Sequence, residues 1–202
     1  MSDPETFPNI LIVRTDRIGD VLLTLPMAAV LKKKYPRARV TMLVREYTKP
    51  LLVGYPDVDE IIAIQEEKDI SSIVPTLKQK HFSSVYCPSP SFAVARAMQK
   101  AGIPVRIGTA YRWYSSLFFT QLVRDHRKYA QYHEAVCNVR MIDQTFPATP
   151  ETLPLHVSLN ENARAAVRAW LDEKGIMGAA PYAIVHPGSG GSAKDWNPER
   201  FA

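Results

Sequence analysis

Apolar residues along this chain fall into short runs separated by polar, turn-forming stretches. Ile10–Val13, Arg39–Val44, Val58–Ile64, Phe82–Cys87, Val105–Gly108 and Tyr182–Val185 are short and rich in β-branched and aromatic residues. Runs of this kind suit strands buried on both faces, as in the middle of a parallel sheet. Between them lie stretches with helical spacing: Asp20–Tyr35, Glu46–Gly54, Ile70–Lys80, Phe92–Ala101, His133–Thr145 and Glu161–Lys174. Strand and helix alternate, so the pattern predicts an α/β fold, a Rossmann-like parallel sheet with helices on both faces and right-handed crossovers.

Punctuation residues refine this reading. Pro26 falls inside the first helical stretch, where it bends the helix or marks its true start. Gly102 stops one helix, and Asn160 and Gly175 bracket another as cap and terminator. Phe146–Pro154 contains three prolines and reads as the approach to a linker. The organisation expected is a Rossmann-like domain over residues 1–155, a linker-helix region over 156–180, and the start of a second domain over 181–202. That second domain opens as a strand, the glycine-rich loop Gly188–Lys194, and a helix begun by Asn197 and Pro198.

Two stretches stand where open α/β sheets bind ligands, just beyond the carboxyl end of a strand. In the first, NILIVRTDRIGD, the polar residues Arg14, Thr15, Asp16 and Arg17 end strand 1, and Asp20 stands at the mouth of the next helix. Asp20 reads as a general base or as a helix cap. Arg14 and Arg17 read as holders of an anionic group or as partners of Asp16. In the second, Ser189, Gly190, Gly191, Ser192 and Lys194 offer backbone N–H groups and a cation to a diphosphate. The same loop also reads as a structural turn. It is not a P-loop, because Ala193 and Asp195 replace the required glycine and Ser/Thr. No GxGxxG follows strand 1, no serine sits in a GxSxG elbow, and no histidine or cysteine pair has metal-ligand spacing.

Composition changes this picture in a few places. The 202 residues are 46% hydrophobic and 22% charged, as in ordinary globular proteins. The net charge of +5 fits a solvated lysine excess or attraction to an anionic ligand. In Tyr111–Phe119, aromatic residues interleave with arginines between Arg106 and Arg127. The stretch reads as a stacking surface, as the groove wall for a phosphorylated amphiphile, or as a core helix. No recognised nucleic-acid motif accompanies it. Cys87 and Cys137 are too few for a disulfide framework, and Met1–Pro8 has no basic start before an apolar stretch. The expectation is a cytoplasmic protein with no nucleic-acid partner.

Taken together, ILIVRTDRIGDVLLTLPMAAVLKKKYP, the later PDVDEII, RIGTAYRW and HEAVCNVRMID, and the closing HPGSGGSAKDWNPERFA resemble glycosyltransferase family 9, the ADP-heptose:lipopolysaccharide heptosyltransferases. The resemblance implies a GT-B architecture, with an acceptor domain followed by a nucleotide-sugar domain of which these residues hold only the start. It implies an inverting transfer of heptose from ADP-heptose to the inner core of lipopolysaccharide, with Asp20 as base. Lys194 and Ser189–Ser192 would lie on the diphosphate side, and Arg14, Arg17, Arg106 and Arg112 on the acceptor side. No metal or other cofactor is expected. The implied partners are the nucleotide sugar, a phosphorylated glycolipid, the inner face of the inner membrane, and a C-terminal domain supplied in cis or in trans. The alternative is a truncated acceptor domain that binds a phosphorylated glycolipid without transfer.

Overall fold

The computed structural model describes residues 8–125, 132–145, 149–154, 159–176, 183–185, 197 and 199. The chain forms two compact units, residues 1–158 and 159–202. The expected run Tyr182–Val185 is described only in part, and the loop Gly188–Lys194 lies outside the described residues.

The first unit is built on six strands: β1 (Asn9–Val13), β2 (Arg39–Arg45), β3 (Glu60–Ile64), β4 (Ser84–Cys87), β5 (Val105–Thr109) and β6 (Gln121–Val123). All pairings are parallel and the order is β3-β2-β1-β4-β5-β6, the strand order of a Rossmann sheet. This order puts β1 in the centre, between β2 and β4, and places its polar end at the point where the strand order reverses.

Alternation along the strands sorts side chains between two cores, although both faces are dry. Ile10, Ile12, Val40, Met42, Val44 and Tyr86 join one cluster with α1 (Ile18–Leu22), α2 (Pro26–Lys34) and α6 (Glu134–Arg140). Leu11, Val13, Leu43, Val85 and Cys87 join the other with α3 (Val74–Gln79), α4 (Phe92–Lys100) and α5 (Ser115–Phe118). Each fully buried aliphatic side chain contributes about 1.5–3 kcal/mol by leaving water. Cys87 and Cys137 are buried and form no disulfide, and burial pushes the Cys87 thiol far above its usual range.

The helical stretch expected over Asp20–Tyr35 is two helices. α1 starts earlier, at Ile18, and ends at Leu22; Pro26 occupies the first turn of α2, where its missing N–H costs nothing. Glu46–Leu51 forms a 3-10 turn rather than an α-helix, with Pro50 inside it. The segment expected as one helix over Ile70–Lys80 is a 3-10 turn (Glu67–Ser71) followed by α3, which Pro75 helps to start. β6 was not read from the sequence: it is three residues long and lacks a clear apolar run.

The PDVDEII segment has a structural explanation. The Asp59 carboxylate accepts the Val40 backbone N–H at 2.6 Å and the Lys32 ammonium at 2.7 Å, tying α2 to the start of β2. Burial works against its charge, but the bonds from Lys32 and Val40 outweigh it and hold the carboxyl below its usual range. Glu60, the first residue of β3, pairs with Lys80 and Arg39.

Gly108 is fixed by close packing. A Cβ there would lie 2.6 Å from atoms of the buried Phe119 ring. Gly108→Ala is therefore expected to destabilise the first unit by about 1–3 kcal/mol through overpacking, read as a lower urea midpoint. An unchanged midpoint would show that the ring can move aside.

In the second unit, α7 (Glu161–Glu173) follows its expected bounds closely. The Asn160 side chain accepts the Ala163 N–H at 3.1 Å, and Gly175 adopts φ +65 beyond the last turn.

Candidate functional site at the carboxyl end of β1

β1 ends at Val13, and Arg14 continues its hydrogen bonding through its N–H to the Leu43 carbonyl at 2.9 Å. The Arg14 side chain, only 4% exposed, then gathers three acids. Its Nε lies 3.0 Å from Asp16, its Nη2 donates to Asp20 at 2.7 Å, and its Nη1 reaches Glu134 of α6 at 3.5 Å. A buried guanidinium requires such partners, since an unpaired charge away from water is costly. The fork geometry of arginine holds several carboxylates at fixed angles.

Asp20 is bound into the start of α1. It is the third residue of α1 rather than its cap, and Oδ2 accepts the Arg17 backbone N–H at 3.4 Å while Oδ1 meets Arg14. Its carboxylate remains 36% exposed, facing a cleft of about 380 Å³ lined by Thr15, Asp16, Arg17, Asp20, Arg45 and Glu67. So one acid is both fixed in orientation and open to a ligand. The other acids of the cleft are held more closely. Burial above all, with the Asp20 and Glu67 charges, pushes the Asp16 carboxyl above its usual range, against the pull of Arg14 and a hydrogen bond with Ser89. Glu67 accepts the Thr15 hydroxyl at 2.8 Å.

The break between α1 and α2 is pinned from the far end of the unit. Buried Asn138 of α6 donates to the Leu23 carbonyl at 2.9 Å and to Thr24 Oγ1 at 3.3 Å, and the Thr24 hydroxyl donates to the Asp20 carbonyl at 2.8 Å. α6 thus braces Asp20 twice, through Glu134 and Arg14 and through Asn138 and Thr24. Asn138→Ala is expected to cost about 1–2 kcal/mol of stability by stranding these partners, measured by urea denaturation. A loss below a few tenths would mean that water replaces the amide freely.

Of the residues singled out from the sequence, Arg14, Arg17 and Asp20 come together here. Arg112 lies in the exposed loop after β5, beyond the carboxyl edge of the sheet but outside the cleft lining. Arg106, expected on the acceptor side, does not line the cleft. It sits near the amino end of β5, and its guanidinium donates to the carbonyls of Phe118, Ile103 and Pro104, which makes it a brace for the α5 turn. Ser189, Gly190, Gly191, Ser192 and Lys194 lie outside the described residues. The Arg14–Asp16 pair that the sequence offered is present, but sequence reasoning missed the roles of Arg45, Glu67, Glu134 and Asn138. Asn138 carried a signal, an amide in the apolar run of α6. Arg45 and Glu67 carried none, because only the sheet brings the ends of β2 and β3 beside β1.

The fold and the polar cleft at the strand-order reversal define a Rossmann-like domain of the kind found in GT-B glycosyltransferases. The chain is 26% identical over 202 residues to a Haemophilus influenzae protein provisionally named a glycosyltransferase, covering 96% of this chain and 58% of that protein. It is 24% identical over 198 residues to lipopolysaccharide heptosyltransferase 3 of Escherichia coli K12, covering 91% and 55%. Among solved structures, the glycosyl transferase family 9 protein of Veillonella parvula superposes with TM-score 0.76 at 22% identity, over 96% of this chain and 57% of that one. The E. coli ADP-heptose lipopolysaccharide heptosyltransferase II superposes with TM-score 0.62 at 22% identity, over 81% and 50%. No family model matches the chain. The relatives and structural neighbours are glycosyltransferase family 9 members, lipopolysaccharide heptosyltransferases among them, and the similarity covers most of this chain. The chain spans a little over half the length of the curated relatives it matches.

Proposed function

We propose that this chain is the acceptor-binding part of an inverting glycosyltransferase that moves heptose from ADP-heptose to the inner core of lipopolysaccharide at the cytoplasmic face of the inner membrane. The observation that carries this reading is Asp20, fixed by Arg14 and open to the cleft beyond β1. In the proposed step, an acceptor hydroxyl gives its proton to the Asp20 carboxylate as its oxygen attacks the anomeric carbon. The bond from that carbon to the diphosphate breaks, and ADP leaves with the electron pair. A single displacement inverts the anomeric centre and needs neither a covalent intermediate nor a metal. Lys194 and the loop Ser189–Ser192 would stabilise the departing diphosphate.

The cleft offers the acceptor both kinds of polar contact. Arg17 and Arg45 line it with no acidic partner among the described residues, and the Arg45 Nε is buried without a hydrogen bond. Two such guanidiniums suit a carboxylate or phosphate on an acceptor sugar.

The second reading is an acceptor domain that binds a phosphorylated glycolipid without transfer. Calorimetry with ADP and ADP-heptose separates the two. Saturable binding of ADP by the 202-residue chain supports a working diphosphate site at Gly188–Lys194. Binding of the glycolipid acceptor with no response to either nucleotide supports the non-transferring reading.

A further inference from the structure

The face of the first unit formed by α4 and the loop after β5 carries features that the cleft does not explain. Phe92, Arg96 and Lys100 recur every four residues along α4 and are all exposed, forming one stripe. Like charges four apart repel, and neither Arg96 nor Lys100 has an acidic partner among the described residues. Trp113 stacks on Phe92 with ring centroids 5.9 Å apart and is 77% exposed. Phe92 in turn meets Tyr114 and Phe118 edge-on, at 5.5 and 5.3 Å, so the exposed pair stands on a rigid aromatic base. Leu117, on the next turn, is 61% exposed.

Beside this stripe runs a groove of about 390 Å³. Ile70, Val74, Pro75 and Phe92 supply apolar lining, and Lys68, Arg96 and Lys100 line it with charge. The 3-10 turn Glu67–Ser71 joins the two surfaces: Glu67 lines the polar cleft, and its neighbour Lys68 lines the groove.

We propose that this face docks on an anionic phospholipid bilayer. Trp113, Phe92 and Leu117 enter the interfacial layer, and Arg96 and Lys100 meet the lipid phosphates, while Lys68 is already paired with Glu66 at 2.8 Å. Indole rings with one apolar body and one N–H suit the boundary between headgroups and acyl chains. Basic side chains spread their methylene stems over apolar surface while their charges face phosphate. Charge complementarity selects an anionic lipid surface over a neutral partner, because Arg96 and Lys100 rim the apolar patch without an acidic partner among the described residues. The surface rests on its own geometry; it deepens the glycolipid reading by naming the side of the domain that faces the bilayer.

The test is sedimentation of the 202-residue chain with phosphatidylglycerol–phosphatidylethanolamine vesicles, alongside phosphatidylcholine vesicles. Binding is expected only to the anionic vesicles, to weaken with salt, and to blue-shift tryptophan emission. Near an anionic surface each basic residue is worth about fivefold in affinity. The charge reversals R96E and K100E together should therefore weaken binding by at least about 20-fold, and W113A should remove most of the blue shift. K33E, on α2 across the sheet, should change binding less than about fivefold. Anionic binding that survives R96E/K100E and W113A would overturn the proposal, as would no vesicle binding at all. Self-association lost in W113A, with vesicles inert, would instead make the face a protein interface and would also overturn it. Vesicle binding does not depend on sugar transfer, so failure of transfer with docking intact would overturn only the glycosyltransferase reading.

Discussion

Asp20→Asn is expected to lower the rate of heptose transfer by about 10²–10⁴-fold, the usual contribution of a positioned general base. Asparagine matches the shape of aspartate, and its carbonyl oxygen can still accept from Arg14 Nη2 or from the Arg17 N–H. The substitution therefore removes the proton acceptor while keeping the packing, and the urea midpoint should move little. KM for the nucleotide sugar should also change little, because the loss falls on the chemical step. Asp16→Asn is the informative comparison. Asp16 shares Arg14 with Asp20 but is more enclosed, and it lies beside Ser89 and Glu67. Its replacement should cost less than about tenfold. The opposite ranking, with Asp16→Asn the more damaging, would move the base from α1 to the loop before it.

Arg14→Ala is expected to have the largest effect on stability of any single change at the site, about 2–3 kcal/mol at neutral pH. The guanidinium is buried, and its removal leaves three carboxylates facing one another with no countercharge. The figure sits at or below the range of about 3–5 kcal/mol usual for broken buried pairs because those carboxylates keep partial contact with water. The loss should depend on pH with a defined sign. Asp16 already lies above its usual range, chiefly through burial, and Arg14 is what pulls it back. Without Arg14 its folded-state value rises further above the unfolded one. The folded variant then takes up a proton before the unfolded chain does. Stability is thereby recovered as pH falls through that raised folded value and lost again as pH rises through it. Urea midpoints at pH 5 and pH 7 should show a smaller deficit at the lower pH. A deficit equal at both would assign the loss to packing. Arg14→Lys, which keeps the charge but not the fork, should fall between the variant and the native chain.

Much of the scaffold was legible in the sequence, for reasons that differ by element. β1, β2 and β4 announce themselves because a strand buried on both faces must be apolar throughout, and turn residues bound each run. α4 and α7 were placed to within a residue or so, since glycines follow both helices and Asn160 caps the second; the Ser91 cap of α4 emerged only in the structure. Pro26 signalled a break without saying which kind. The answer came from Asn138, which holds the Leu23 carbonyl from 115 residues away and makes two helices cheaper than one bent helix. The same holds at the cleft. Arg14 and Asp20 could be nominated from local pattern alone, six residues apart on either side of a turn. Arg45 and Glu67 could not, because their approach depends on the parallel register that brings the ends of β2 and β3 level with β1, nor could Glu134, which arrives on α6 from 120 residues away. Arg106 shows the converse error. Charge near an aromatic stretch suggested an anion site, yet three backbone carbonyls already occupy its donors.

In the proposed mechanism, a sugar hydroxyl held in the cleft beyond β1 is deprotonated by Asp20 as it attacks an ADP-linked heptose. The most direct measurement is the acceptor-dependent release of ADP from ADP-heptose by the polypeptide carrying this sequence, with the anomeric configuration of the product read by NMR. The expected result is ADP formed only when a Kdo-lipid A type acceptor is present, with inversion at the transferred carbon and loss of transfer in Asp20→Asn. Transfer with retention of configuration, or equal transfer by Asp20→Asn, would contradict the mechanism. No transfer to any inner-core acceptor would contradict the function itself.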